Sequence, residues 1–209
     1  MRVLPSGSTA LLVELDDLDQ VLALYAALQA DPPSGVTEIV PAARTILLVI
    51  DRAATSLPEV EARVRRTTPR PAVRAEGELV EIPVTYVGED LEDAARLLGC
   101  DSDELVRLHT ADEWTVGFCG FAPGFGYLTS PTWRFDVPRR ASPRTRVPAG
   151  AVALAGEFTG IYPRPSPGGW QLVGRTDVAV FDLSREPSAL LRPGIRVRFV
   201  DAARAPRPA

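Results

Sequence analysis

From Glu113 onward glycine and proline recur every few residues, so no long helix fits there and the apolar residues come in short runs. That profile predicts a barrel or sandwich of short strands. Within it, Arg139 to Thr176 is the most informative stretch, RRASPRTRVPAGAVALAGEFTGIYPRPSPGGWQLVGRT. It holds a basic cluster, then AVALAG, which reads as a short buried strand, then several Gly/Pro turns around Trp170. Between Val137 and Gly156 stand four arginines, Arg139, Arg140, Arg144 and Arg146, and no acid. In a chain of formal net charge -4, this local excess points to an anionic ligand, a carboxylate or phosphate gripped at two points by a guanidinium fork. The competing reading is a solvated loop, where surface charges contribute little. The strand pattern that follows argues for anchorage to a rigid element.

Two further stretches carry candidate chemistry. Val116 to Leu128, VGFCGFAPGFGYL, sets four glycines among Phe118, Phe121, Phe125 and Tyr127. It reads as a strand-turn-strand in which backbone at Gly124 can approach a ligand, or equally as core aromatics with turn glycines. It is not a phosphate loop, because the glycine spacing and the following lysine are both missing. Thr159 to Arg175 offers Gln171 and Arg175 beside Gly-rich turns, a donor pair suited to a carbonyl and a carboxylate.

Absences narrow the chemistry. All 23 basic residues are arginine, which removes Schiff-base catalysis, a lysine base and a Walker-type loop from this chain. ATP, if the reaction consumes it, must be held by other means or by another polypeptide. His109 is the only histidine, so a two-histidine metal site is impossible within one chain. Cys100 and Cys119 lack metal-ligand spacing and are too few for a disulfide framework; no metal site is expected. No apolar run approaches the roughly 20 residues that span a bilayer. The opening MRVLPSGSTA lacks a signal peptide's charged-then-apolar layout. The expectation is a cytoplasmic protein with no membrane and no nucleic-acid partner.

The first third reads as a compact α+β layer. Ser8 to Leu15 is strand-like, and Arg2 to Leu4 is a candidate for a short strand before it. Asp16-Asp17 caps a helix with Leu18, Val21, Leu22, Tyr25 and Leu28 at apolar spacing. Val36 to Pro41 and Thr45 to Asp51 are strands, the latter with a nearly continuous apolar run of the kind found in buried positions. Ser56 caps a helix through Arg66. Thr67 to Glu78 is the best linker, dividing an α+β domain over 1–75 from a second domain over 79–205. In the second domain Leu79 to Val87 is a strand, Pro83 marking an edge or end. Glu92 to Leu98 is a helix closed by Gly99, and Ser102 caps another through His109. His109 reads either as a group that orients or shuttles a proton or as a histidine favoured at a helix C-terminus.

Taken together, GFAPGFGYL, PRTRVPAG with AVALAGEFTGIYP, and SPGGWQLVGRT resemble the PxpB family, the B subunit of bacterial 5-oxoprolinase, also known as the KipI or allophanate hydrolase subunit 1 family. The resemblance covers essentially the whole chain. It implies an N-terminal α/β sandwich-like domain followed by a C-terminal cyclophilin-like β-barrel. It also implies two partners in an ATP-dependent 5-oxoprolinase, a barrel-like protein of KipA or PxpC type and a PxpA- or LamB-like protein of a different fold. The same two barrels occur fused in the carboxyltransferase part of urea carboxylase. The chain departs from the family's pattern at Ala151, where Ser is expected, and at Glu157-Phe158, where a Gly-Gln or Gln pair is common. The second departure bears on that loop's ligand contacts.

On this reading Arg144 and Arg146 bind a carboxylate or phosphoryl group, His109 handles a proton, and Gly124, Gln171 and Arg175 help place a small amide substrate. The leading function is a non-autonomous subunit of an ATP-dependent amidohydrolase. Alternatives are a regulator that inhibits a sensor histidine kinase and a carboxyltransferase-type subunit in a urea or allophanate pathway. A prolyl isomerase ranks last, because barrel likeness alone transfers no activity.

Overall fold

The computed structural model describes residues 1–70 and 78–204. The chain divides into two compact units, Met1–Ala75 and Glu76–Ala209. Most of the proposed linker, 71–77, lies outside the described residues.

The first unit contains strands β1 (Arg2–Ser6) and β2 (Ala10–Glu14), helix α1 (Leu18–Ala30), strands β3 (Val36–Pro41) and β4 (Thr45–Ile50), and helix α2 (Leu57–Arg66). The strands form one antiparallel sheet in the order β1-β2-β4-β3. Asp17 caps α1 by accepting from the Gln20 N–H. Ser56 and Glu59 form a capping box at α2, with Pro58 in the first turn. The buried face of α1 is Leu18, Val21, Leu24, Ala27 and Leu28, so Leu22 and Tyr25 flank the contact instead of lying in it. The β4 run TILLVI is apolar after Thr45, yet only Ile46, Leu48 and Ile50 are buried. The strand is covered on one face, because side chains alternate and the helices supply a single layer.

The second unit has strand β5 (Leu79–Val84), helices α3 (Leu91–Leu97) and α4 (Ser102–Ala111), and strands β6 (Glu113–Cys119), β7 (Gly126–Thr129), β8 (Arg144–Val147), β9 (Ala151–Ala155), β10 (Phe158–Ile161), β11 (Ser166–Gly168), β12 (Gln171–Arg175) and β13 (Arg196–Asp201). Seven of them form one sheet in the order β12-β9-β10-β7-β6-β13-β5, while β8 and β11 pair as a separate ribbon. Beyond the two end strands, Thr85 and Arg175 exchange backbone hydrogen bonds of 2.8 and 3.0 Å, which draws the sheet into a nearly closed barrel. The chain is thus α+β, a small helix-covered sheet followed by a β-barrel. β5 lies at the end of the order and, among the described strands, pairs only with β13, in parallel, so Pro83 costs no ladder bond on its other side. All five residues of β9 are buried. The barrel interior is filled by Ile82, Trp114, Leu128, Val152, Leu154 and Phe199 among others. The cap of α4 is Asp101, which accepts from the Glu104 N–H; Ser102 is already inside the helix.

Candidate functional site

The site is organised by a residue that the sequence did not single out. Gly88 lies so close to β12 that an added Cβ would come within 2.1 Å of the Leu172 carbonyl oxygen, backbone that cannot yield. This close approach lets Asp90, at the start of α3, bond β12 twice: its N–H donates to the Leu172 carbonyl at 2.9 Å, and its carboxylate accepts from the Leu172 N–H at 2.8 Å. The Asp90 carboxylate is thereby carried into the protein, where it is 1% exposed. A carboxylate at that depth must be paired.

Two arginines of the basic cluster pair it. Arg144 donates from Nη1 to Oδ2 at 2.7 Å and from Nη2 to Oδ1 at 2.9 Å, and also reaches Glu89 at 3.0 Å. Arg140 donates from Nη1 to the same Oδ1. Burial alone would raise the Asp90 pKa. The hydrogen bonds from Arg144 and the Leu172 N–H, with the nearby positive charges of Arg144 and Arg140, outweigh it and hold the group below the ordinary 3.8. Arg144 is correspondingly pushed up, chiefly by its hydrogen bond to Asp90. The charges of Arg140, Arg144, Glu89 and Asp90 cancel. The expected anion grip of Arg144 is therefore already occupied by protein carboxylates.

The remaining two arginines of the cluster, Arg139 and Arg146, are exposed. Arg139 sits near Tyr127 and Tyr162, where its charge favours the ionised form of both hydroxyls against the effect of burial. A cleft of about 650 Å³ opens beside the cluster, lined by Arg96, Arg139, Arg140, Ser142 and Gln171 with Asp93. Gln171 is 5% exposed and donates from Nε2 to the Pro138 carbonyl at 2.9 Å, so it fastens the loop that carries the arginines. Arg140 Nε is buried with no hydrogen-bond partner among the described residues.

The other expected residues are dispersed. Arg175 is exposed at the barrel seam, where its backbone pairs with Thr85. Gly124 has φ of 83°, and an added Cβ would lie 2.5 Å from the Phe181 Cβ, so the turn and its packing both account for the glycine. His109 is fully buried near the C-terminal end of α4 and stacks on Phe199 with ring centroids 4.4 Å apart. Thr159 donates to the Ala153 carbonyl at 3.3 Å, so its oxygen accepts from His109 Nε2 at 2.9 Å, and His109 Nδ1 accepts from the Tyr86 hydroxyl at 2.7 Å. This chain of bonds fixes one neutral tautomer. Burial lowers the His109 pKa from 6.5 to about 3. Both ring nitrogens are engaged inside the protein, which leaves neither facing a substrate. Of the two readings of His109, a proton-handling group or a histidine favoured near a helix C-terminus, its packed, uncharged position in the core fits a structural side chain.

Among the described residues, no three His, Cys, Asp or Glu side chains converge as a metal-ligand set, and no helix is long and apolar enough to cross a membrane. VGED has the composition of an ordinary helix start, so Glu89 and Asp90 carry no local sequence signal beyond a glycine two residues before Asp90.

The family described as "Carboxyltransferase domain, subdomain C and D" matches residues 1–191. The chain is 38% identical over 203 residues to the B subunit of 5-oxoprolinase from Escherichia coli O157:H7, covering 93% of each. It is similar to the solved structure of TTHA0988, with TM-score 0.75 and 39% identity, over 96% of this chain and 41% of that one. The Kluyveromyces lactis urea carboxylase shares the fold at TM-score 0.72 and 18% identity, over 96% of this chain and 23% of that one. Sequence motifs, barrel and near-full-length identity converge: this chain belongs to the family of 5-oxoprolinase B subunits, within the carboxyltransferase-domain proteins.

Proposed function

We propose that the chain is a non-autonomous subunit of a cytoplasmic ATP-dependent 5-oxoprolinase, working with a KipA- or PxpC-like partner and a PxpA- or LamB-like partner. The reaction opens the lactam of 5-oxo-L-proline to L-glutamate as ATP becomes ADP and phosphate. The observation that carries this reading is the 38% identity with the Escherichia coli protein across 93% of both chains.

The chemistry suits a shared site. An unactivated lactam resists hydrolysis at neutral pH, and phosphorylation of its carbonyl oxygen gives water a better electrophile. Developing negative charge then needs fixed donors in a dry site, worth several kcal/mol. In this chain Asp90 holds Arg140 and Arg144 as a rigid wall, and Gln171 fastens the adjoining loop. The exposed Arg139 and Arg146 supply uncommitted positive charge for an anion. Arg140 and Arg144 do not fit a triphosphate, since protein carboxylates already neutralise them, and the chain has no lysine. No nucleotide step is therefore assigned to these residues, and ATP is handled elsewhere in the assembly. His109 serves packing, and Arg175 and Gly124 serve the barrel seam and a turn.

A second reading, a carboxyltransferase-type role on a urea-derived substrate, draws on the matched family and the urea carboxylase fold. Reconstitution separates the two. Mixing the chain with its PxpA- and PxpC-like partners should give ATP-dependent glutamate release that none of the three produces alone. Glutamate release unaffected by omitting this chain contradicts the first reading.

A further inference from the structure

The sheet of the first unit is covered on one face, yet its central strands are apolar on both. Helix α1 packs on β3 and β4, and α2 packs on β2. Leu11, Val13, Ile46 and Leu48 are buried on that side. Side chains alternate along a strand, so Leu12, Leu47 and Val49 point the other way, where they are half-buried. A nearly continuous apolar run marks a strand with both faces covered. Among the described residues of this unit α1 and α2 are the only helices, and both lie on the same side.

The strand register makes these residues a stripe. Leu4 lies opposite Leu12, Leu12 opposite Leu47, and Leu47 opposite Val40, so four aliphatic side chains cross the whole sheet in one row. Both ends of the row are open to water, Leu4 at 36% exposure and Val40 at 42%. The row on one side starts at Arg2 on the edge strand β1, opposite Glu14. The row on the other side runs from Ser6 through Ala10 and Val49 to Glu38 on the edge strand β3. Arg2 and Glu38 are thus diagonally opposite corners of the open face, one positive and one negative. The Arg2 side chain is largely exposed and donates from Nη1 to Glu14 at 2.8 Å, which uses one of its several N–H groups. The sheet edges are guarded: β1 contains Pro5, and β3 contains Pro41 and a bulge between Val36 and Glu38. Association is therefore directed to the face.

We propose that this face is the interface of a weak homodimer, in which two copies of the chain stack their open sheets about a two-fold axis. An axis lying in the interface along the other diagonal brings each Arg2 over Glu38 of the second copy and crosses the two aliphatic rows at their centres. The face is nearly square, about 14 Å each way from strand spacing and rise. The strands of the two copies then cross at about 90°, one of the two ordinary ways in which sheets pack. Opposite charges meet at two symmetric corners and fix the orientation, while the aliphatic rows exclude water between them. The footprint is roughly 300–400 Å² per copy, about half of what a tight complex covers, so the dissociation constant falls on the order of 100 µM.

Sedimentation velocity of the full chain tests it between about 5 and about 500 µM, where the unsubstituted chain should pass from monomer toward dimer. Val40→Glu puts a carboxylate into the stripe at an exposed position and should weaken dimerisation ~10-fold or more, with an unchanged thermal melt showing that the fold is kept. Arg2→Glu and Glu38→Arg should each weaken it by roughly 5-fold, and the two together should restore it, because the swapped charges meet again across the axis. A chain that stays monomeric throughout overturns the proposal, as does a dimer indifferent to Val40→Glu. A double charge variant no better than either single one overturns it too. So does a chain that is monomeric alone but whose β1, β2 and β4 amides gain hydrogen-exchange protection when a PxpC-like protein is added, an outcome that assigns the face to that protein.

Discussion

Arg144 and Asp90 meet in a two-point ion pair, Nη1 to Oδ2 at 2.7 Å and Nη2 to Oδ1 at 2.9 Å, with the carboxylate almost inaccessible to water. The partners come from sequence positions 54 residues apart, and the pair ties the ribbon strand β8 to the start of α3. A cluster of four arginines therefore does not offer four positive charges. Half of it is committed to holding the wall, and this division of labour has measurable consequences.

Removing the carboxylate leaves two guanidinium groups facing each other. Asp90→Ala is expected to destabilise the chain by about 3 kcal/mol, the range seen when one partner of a buried pair is lost. Urea unfolding measures it. In a double-mutant cycle with Arg144→Ala the two losses should fall short of additive by about 1.5 kcal/mol or more, because each removes the same contact. Additive losses contradict the pairing.

Acid acts on the same group. The Asp90 pKa is lower in the folded chain than its ordinary 3.8, so the unfolded chain takes up the proton first as pH falls. The stabilisation is complete above 3.8 and is lost as pH drops from there through the lowered folded value. Asp90→Asn should flatten the unfolding midpoint against pH in that window and leave its slope above pH 5 unchanged.

His109 governs a different window. Burial lowers its pKa from 6.5 to about 3, so the unfolded chain binds a proton that the folded chain refuses. Stability should be full above 6.5 and decline as pH falls toward 3, at a limiting slope of about 1.4 kcal/mol per pH unit. His109→Gln should remove that slope between pH 6 and 4 while costing stability at pH 7. A reconstituted complex that keeps its pH–rate profile with His109→Gln agrees with a packing role, and a shifted profile restores the proton role.

Gly88→Ala tests the close approach that lets Asp90 reach β12. The new Cβ would lie 2.1 Å from a backbone oxygen, so backbone must move. The expected loss is about 2 kcal/mol or more, as for other overpacked sites. Differential scanning calorimetry reads it, and a change below about 0.5 kcal/mol would mean that the contact relaxes freely.

Much of the architecture was legible from local signals. Asp17 and Ser56 mark helix starts because their side chains satisfy N–H groups of the first turn, and AVALAG is apolar enough to occupy the barrel interior. Local signals fail where a partner is remote. TILLVI looks buried on both faces, but only tertiary packing decides that one face is covered. Asp101 and Ser102 are both good caps, and the backbone at Asp101 supplies the geometry. The site was half legible. Clustered arginines are visible in the chain, but the acids that neutralise them lie 50 and more residues away and meet them only through the barrel. Burial of His109 among Phe199, Trp114 and Trp133 is likewise a property of the assembled core.

The most direct measurement compares the unfolding free energies of Arg144→Ala and Arg139→Ala with that of the unsubstituted chain under identical conditions. Arg144→Ala should lose about 2–3 kcal/mol, since Asp90 keeps only part of its partners, and Arg139→Ala should stay within about 0.5 kcal/mol, as expected of an exposed side chain. Equal losses, or the larger loss at Arg139, would contradict the division between a structural and a ligand-facing arginine.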